Sequence, residues 1–279
     1  MHIRLDNHGL ASFGQSHKPI KSLGQNFLID KNITRKIVEA LGLRPSDIVL
    51  EIGAGQGELT GLIAPKVNKL YAFEIDRRLY PLLIERFKIN SGTNIVNQDI
   101  LKCNLVNFLD EHKIKGKIKV FGNIPYYISS PIIEHLINHR AIIKEVFLTV
   151  QKEFARRVVA VPGSKDYGSF SCFLQYYSIP KIVFQISKGC FYPIPKVDSC
   201  FLHLKFRDEP AVYVKNEELL FKIIRAAFNQ RRKTLRNSLK GKVQLKELEG
   251  FLLKNKLDLN IRPEELSLAE FANLVNELS

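Results

Sequence analysis

The feature that most constrains the fold of this chain is EIGAGQG, Glu51 to Gly57, which follows an apolar run, Ile48 to Ile52, and precedes a helical stretch around Leu59 to Val67. Glycines between a strand and a helix let the backbone turn tightly and approach a ligand without side-chain collision. The unit then repeats. Leu70 to Glu74 predicts a second strand and Arg77 to Phe87 a second helix. Asn94 to Val96, Ile118 to Phe121 and Val146 to Val150 continue the series, with Ile132 to Ile137 helical between the last two. Strands alternating with helices predict an α/β, doubly wound, mostly parallel sheet. Upstream, Asp30 is placed to cap a helix with the apolar face Ile33, Ile37, Val38 and Leu41, ended by Gly42.

The pattern changes twice further on. Ile182 to Ile186 and Phe201 to Phe206 read as strands with no helix between them, an antiparallel hairpin closing the sheet edge. Past Pro210, Glu217 to Phe228, Leu245 to Leu253 and Glu264 to Leu278 read as helices with no strong strand among them. The expected organisation is a flexible extension over residues 1–20, a sheet domain over 21–208 and a small all-helical C-terminal domain over 212–279.

Charge narrows the partner. A formal net charge of +14 over 279 residues calls for a polyanion, with nucleic acid favoured over an acidic membrane surface. No apolar run is long enough to span a membrane, and the N-terminus has no signal-like hydrophobic stretch. Cys103, Cys172, Cys190 and Cys200 form no CxxC pair, which suits a reducing compartment, so the cytoplasm is the expected location. Cys200 and His203 have ligand-like spacing, but no second pair completes a zinc site. They read as small core side chains on a strand, and no metal is expected.

The glycines fall at Gly53, Gly55 and Gly57, with Glu58 where a dinucleotide-binding loop places its third glycine, so a pyrophosphate is not the expected ligand. Glu74, about twenty residues on, can accept both hydroxyl protons of a ribose. Asp99 can accept from an adenine amino group. Singly, these residues serve a structural turn or a solvated surface equally well. At three successive strand ends they converge on one crevice, the usual ligand site of an open α/β sheet, and point to a nucleoside cofactor.

The second motif, FGNIPYYIS (Phe121 to Ser129), supplies the chemistry. The lone pair of an exocyclic adenine amine is delocalised into the ring, so attack requires acceptors that hold the amino group and localise the pair. The side-chain oxygen of Asn123 and a main-chain carbonyl in Ile124-Pro125 are suited to this. Pro125 fixes the backbone and restricts Ile124 to an extended conformation. Tyr126 offers a stacking face worth roughly 1–3 kcal/mol. The two motifs together predict methyl transfer from S-adenosylmethionine to a base amino nitrogen. Alone, Asn123 to Tyr126 reads also as a strand end with a proline turn.

In order, KSLGQNFLID (Lys21 to Asp30), EIGAGQGELT, FEID, NQDIL, GNIPYYIS, FYPIPKVDS (Phe191 to Ser199) and FNQRRKTLRNSL (Phe228 to Leu239) cover most of the chain. In these motifs the chain resembles the dimethyladenosine transferase family that modifies small-subunit ribosomal RNA, a branch of the class I, Rossmann-like methyltransferases. The resemblance implies that Asn26 and Leu28 close over the cofactor, Gly53 contacts it through the backbone, Glu74 holds the ribose and Asp99 meets the adenine. Asn123 would lie near the methyl donor and the incoming amine, with Tyr126 and Phe191 sandwiching the target base. Read without the resemblance, Gln25-Asn26 is a surface loop and Phe191 a core aromatic. The family pattern is NLPYNIS; here Ile124 replaces Leu and Tyr127 replaces the second Asn, which puts the local pocket wall in doubt.

The implied activity is N6-dimethylation of two adjacent adenosines near the 3′ end of small-subunit (16S) rRNA, on a partly assembled ribosomal subunit, by a monomer. Arg231, Arg232, Lys233 and Arg236 are the expected phosphate contacts. Two alternatives stand beside this reading: a large-subunit adenine methyltransferase of the macrolide-resistance type, and a non-catalytic RNA-binding assembly factor.

Overall fold

The computed structural model describes residues 4–5, 11–12, 18–230 and 233–278. Near the N-terminus, where a flexible extension is expected, β1 (Arg4–Leu5) pairs antiparallel with β2 (Ala11–Ser12). A further two-residue strand, β3 (Phe27–Leu28), precedes α1 (Lys31–Ala40). The Asp30 carboxylate accepts the N–H groups of Asn32 and Ile33 at 2.8 and 3.0 Å, which satisfies two orphan donors of the first turn.

The alternation then runs β4 (Ile48–Ile52), α2 (Glu58–Ile63), β5 (Lys69–Phe73), α3 (Tyr80–Phe87), β6 (Thr93–Val96), α4 (Leu105–Glu111), β7 (Ile118–Asn123), α5 (Ser129–Asn138) and β8 (Ile143–Gln151). Next come α6 (Lys152–Val159), α7 (Ser169–Tyr177), β9 (Ser178–Ile186), β10 (Phe191–Tyr192) and β11 (Ser199–Phe206). The chain closes with α8 (Glu217–Phe228), α9 (Leu235–Ser238), α10 (Leu245–Lys254) and α11 (Leu268–Leu278).

One seven-stranded sheet has the order β6-β5-β4-β7-β8-β11-β9. The pairs β4–β5, β5–β6, β4–β7 and β7–β8 are parallel, and β11 runs antiparallel to β8 with Cys200 opposite Val150. This is the class I methyltransferase architecture. The predicted edge strands β9 and β11 are neighbours at that edge, but the segment joining them is no simple turn. It carries β10, which pairs with β3 outside the main sheet, Phe191 opposite Leu28.

Val49, Leu50, Leu70, Ala72, Val120 and Leu148 are at most 1% exposed, as expected for strands covered on both faces. The strand order reverses between β4 and β7. There a Cβ on Gly122 would lie 2.7 Å from the Ile52 carbonyl oxygen, so this register admits only glycine before Asn123. At the opposite ends of the strands, buried Lys119 donates to the carbonyls of Leu41 and Gly42 at 3.1 and 2.9 Å and pairs with Asp47 at 3.0 Å. A cation on those carbonyls complements the end of α1 and ties it to the sheet.

The chain forms two compact units, Met1–Lys152 with Lys181–Phe206, and Glu153–Pro180 with Arg207–Ser279. This differs from the expected boundary near 208–212, since residues 153–180 group with the C-terminal helices. The cause is aromatic packing. Phe173 and Tyr176 on α7 meet Phe221 on α8 edge-to-face at 5.4 and 5.3 Å, and the Tyr177 hydroxyl donates to Glu217.

Candidate active site

The carboxyl ends of β4, β5, β6 and β7 and the loop Leu23–Phe27 surround a cleft at the point where the strand order reverses. Asn26, Gly53, Glu74, Asp99, Asn123, Ile124, Pro125 and Tyr126 all line it. Residues far apart along the chain therefore share one set of walls. Leu28 lies instead in an adjoining recess of about 380 Å³, whose walls include Phe27, Gly53, Gly55 and Asn123.

The glycine turn is held in place by Glu74. Gly53, Gly55 and Gly57 all have positive φ, at 79°, 57° and 83°. The Glu74 carboxylate accepts the Gly55 N–H through Oε2 at 2.7 Å and the Asp76 N–H through Oε1 at 2.8 Å. Glu74 is 4% exposed, and burial raises its pKa against the pull of those two backbone donors. Asp99 caps the turn after β6, its Oδ1 accepting the Leu101 N–H at 3.0 Å.

Asn123 closes β7. Its Nδ2 donates to the Asn26 carbonyl at 2.9 Å. Turned over, the amide would set its oxygen against that carbonyl, so the bond fixes which end of the amide is the acceptor. The Tyr126 hydroxyl shares a hydrogen bond with Ser199 Oγ at 2.6 Å, which fixes the edge of the ring.

Phe191 does not join this cleft. It is 1% exposed and packs in a core cluster with Leu28, Ile186 and Phe201, because the β10–β3 pairing turns it inward while Tyr192 is 57% exposed. The plain reading of Phe191 as a core aromatic describes its surroundings. Among the expected phosphate contacts, Arg231 and Arg232 lie outside the described residues, and Lys233 is exposed. Arg236 is only partly available, since its guanidinium pairs with Glu249 at 2.7 Å.

Sequence reasoning missed three residues that anchor the loop over the cleft. Gln25 accepts the Ile20 N–H at 2.8 Å and donates to Asp76 at 2.9 Å. Arg78 forks onto the same carboxylate at 3.0 and 2.8 Å. The Arg78 guanidinium, aided by Gln25, holds Asp76 at about 2 despite burial. The signal available was FEID itself, which carries a second acid two residues after Glu74.

Glu51, under the glycine turn, is 1% exposed and accepts from the Thr60 hydroxyl at 2.6 Å. Burial pushes its carboxyl up to about 8; the Thr60 bond opposes this and the Glu74 charge adds to it. A carboxyl with a raised folded-state value binds more protons folded than unfolded between its ordinary value, 4.5, and about 8, so stability falls as pH rises through that window. Glu51→Gln, which stays neutral, is expected to melt above the wild type by about 5 °C at pH 8, a gap that shrinks toward pH 5. Thermal melts across that range check this, and a gap independent of pH contradicts it.

The pattern of the ribosomal RNA adenine dimethylase family matches residues 16–279. A ribosomal RNA small subunit methyltransferase A from Caldanaerobacter subterraneus subsp. tengcongensis is 45% identical over 262 residues, 94% of this chain and 97% of that protein. The protein of the same name from Geobacillus thermodenitrificans is 42% identical over 276 residues, 96% and 93% of the two chains. Among solved structures, a dimethyladenosine transferase from Plasmodium falciparum superposes with a TM-score of 0.71 at 26% identity, over 89% of this chain and 95% of that one. The 23S rRNA methyltransferase ErmE gives the same TM-score and identity over 91% and 99%. With its motifs in one cleft and its likeness running nearly end to end, the chain belongs to the ribosomal RNA adenine dimethylase family.

Proposed function

We propose that this protein is the small-subunit rRNA adenine N6-dimethyltransferase, acting on two adjacent adenosines near the 3′ end of 16S rRNA during subunit assembly. The observation that carries the reading is the joint presence of Asn123 to Tyr126 and of Gly53, Glu74 and Asp99 in one cleft. The cleft fits an S-adenosyl group: in front of Gly53 the nearest atom to a built Cβ is a backbone oxygen 3.7 Å away, which leaves room for a ligand against the turn. Glu74 would take the ribose hydroxyls, Asp99 the adenine amino group, and Asn26 and Leu28 the covering side. S-adenosylmethionine, when bound, supplies an electrophilic methyl group.

The chain's own residues supply position and polarity. Asn123, its Nδ2 committed to Asn26, presents Oδ1 as an acceptor for the target amine. The Ile124-Pro125 backbone adds a carbonyl acceptor, and Tyr126 stacks the base. Rate comes from alignment and from preorganised acceptors rather than from a base of unusual pKa. Lys233 with Arg231 and Arg232 supplies phosphate contacts, and Arg236 a weaker one because Glu249 shares its charge.

The small-subunit assignment rests on the sequence relatives, since the fold resembles a dimethyladenosine transferase and a 23S rRNA methyltransferase equally. No helix among the described residues is long and apolar enough to cross a membrane. The test is transfer of labelled methyl from S-adenosylmethionine to undermethylated small subunits, with large subunits in parallel. Dimethyladenosine at two adjacent small-subunit positions is expected. Label confined to large subunits would overturn the assignment, and none on either would favour a binding factor.

A further inference from the structure

We propose that Tyr127 is a second base platform of this site, stacking the nucleotide next to the target adenosine; the inference rests on the rRNA methylation proposed above. Tyr127 lines the cleft beside Tyr126, yet the residue is 64% exposed. One edge is braced. Gly24, at φ 60°, passes so close that a Cβ there would sit 3.0 Å from Tyr127 Cε1 and 3.2 Å from Cδ1. The hydroxyl reaches the Ser22 carbonyl at 3.5 Å, the limit of a hydrogen bond. The Cδ1–Cε1 edge therefore lies against the Gly24 turn, while the residue as a whole stays largely open to solvent.

Tyr126 differs, being half-buried and tied through its hydroxyl to Ser199. Two adjacent rings, one inside the cleft and one on its rim, match two adjacent nucleotides. An enzyme that draws a base out of its stack strips the neighbouring base of a stacking partner as well. A rim aromatic replaces that partner, and exposed Lys21, one residue before Ser22, adds positive charge to the same rim.

Stacking on an aromatic side chain changes binding by roughly 5- to 150-fold per base. The experiment is steady-state methylation of undermethylated small subunits by wild type, Tyr127→Ala and Tyr127→Phe, with calorimetric titration of S-adenosylmethionine on each. Tyr127→Ala is expected to raise the KM for subunits about tenfold or more, with kcat and cofactor affinity nearly unchanged, and Tyr127→Phe to recover the KM. An unaltered KM in Tyr127→Ala overturns the inference alone. So does loss of cofactor affinity in parallel with the KM, which would make Tyr127 only a brace for the loop. If wild type labels no small subunit, the proposed function fails and this inference falls with it.

Discussion

Asn123→Ala is expected to slow methyl transfer at saturating substrates by at least about 100-fold, with subunit binding close to normal. The side chain is short, sits at the end of β7 and is oriented by one hydrogen bond, Nδ2 to the Asn26 carbonyl at 2.9 Å. The alanine removes the side-chain acceptor and leaves only the Ile124-Pro125 carbonyl to hold the amine, and removing one preorganised group of this type costs about 10²–10³ in rate. Asn123→Asp separates orientation from acceptance, because one of its carboxylate oxygens would face the Asn26 carbonyl that Nδ2 now satisfies. It is expected to be slow as well, although it keeps an acceptor. Single-turnover rates with labelled cofactor, alongside filter binding of subunits, measure both quantities. A near-normal rate in Asn123→Ala would sink the amide's part in the chemistry.

The strands β4, β5, β7 and β8 were legible because parallel strands covered on both faces are mostly apolar, and Ile48–Ile52 and Ile118–Phe121 are broken only by Glu51 and Lys119. The unit boundary was not legible. Ser169–Tyr177 mixes small and aromatic residues around the whole helix, so it shows little polar contrast, and its partner Phe221 lies far along the chain. Grouping in space between segments separated by β9, β10 and β11 leaves no local trace.

The site divides the same way. Gly53, Glu74, Asp99 and Asn123 could be found because each stands at the end of a strand, where topology alone brings side chains together. The Gln25–Asp76–Arg78 anchor left only the second acid of FEID as a signal, since its central bond spans 51 residues and two polar side chains on loops carry no periodicity. Phe191 shows the converse. Its motif suggests a role at the base, while the register of β10 on β3 decides that its ring faces the core.

Glu74→Gln tests how far carboxylates in one site are interchangeable with their neutral isostere. Burial favours the neutral form of both carboxyls, but Glu51 meets one donor, a hydroxyl that can rotate, so the amide there relieves a cost. Glu74 meets two backbone N–H groups that cannot turn, one on each oxygen. Whichever way the substituted amide is placed, its NH2 faces either Gly55 N–H or Asp76 N–H, and a buried donor goes unsatisfied at a cost of roughly 1–3 kcal/mol. The Gly55 turn is the floor of the proposed cofactor site, so the loss falls on binding as well as on folding. The expected result is a lower melting temperature and a dissociation constant for S-adenosylmethionine weaker by about 10- to 100-fold, with opposite signs of stability change for the two Glu→Gln variants at pH 8. Calorimetric titration and melts of both proteins decide it. Unimpaired cofactor affinity in Glu74→Gln would show that the turn holds without its carboxylate, and would remove Glu74 from the ribose position as well.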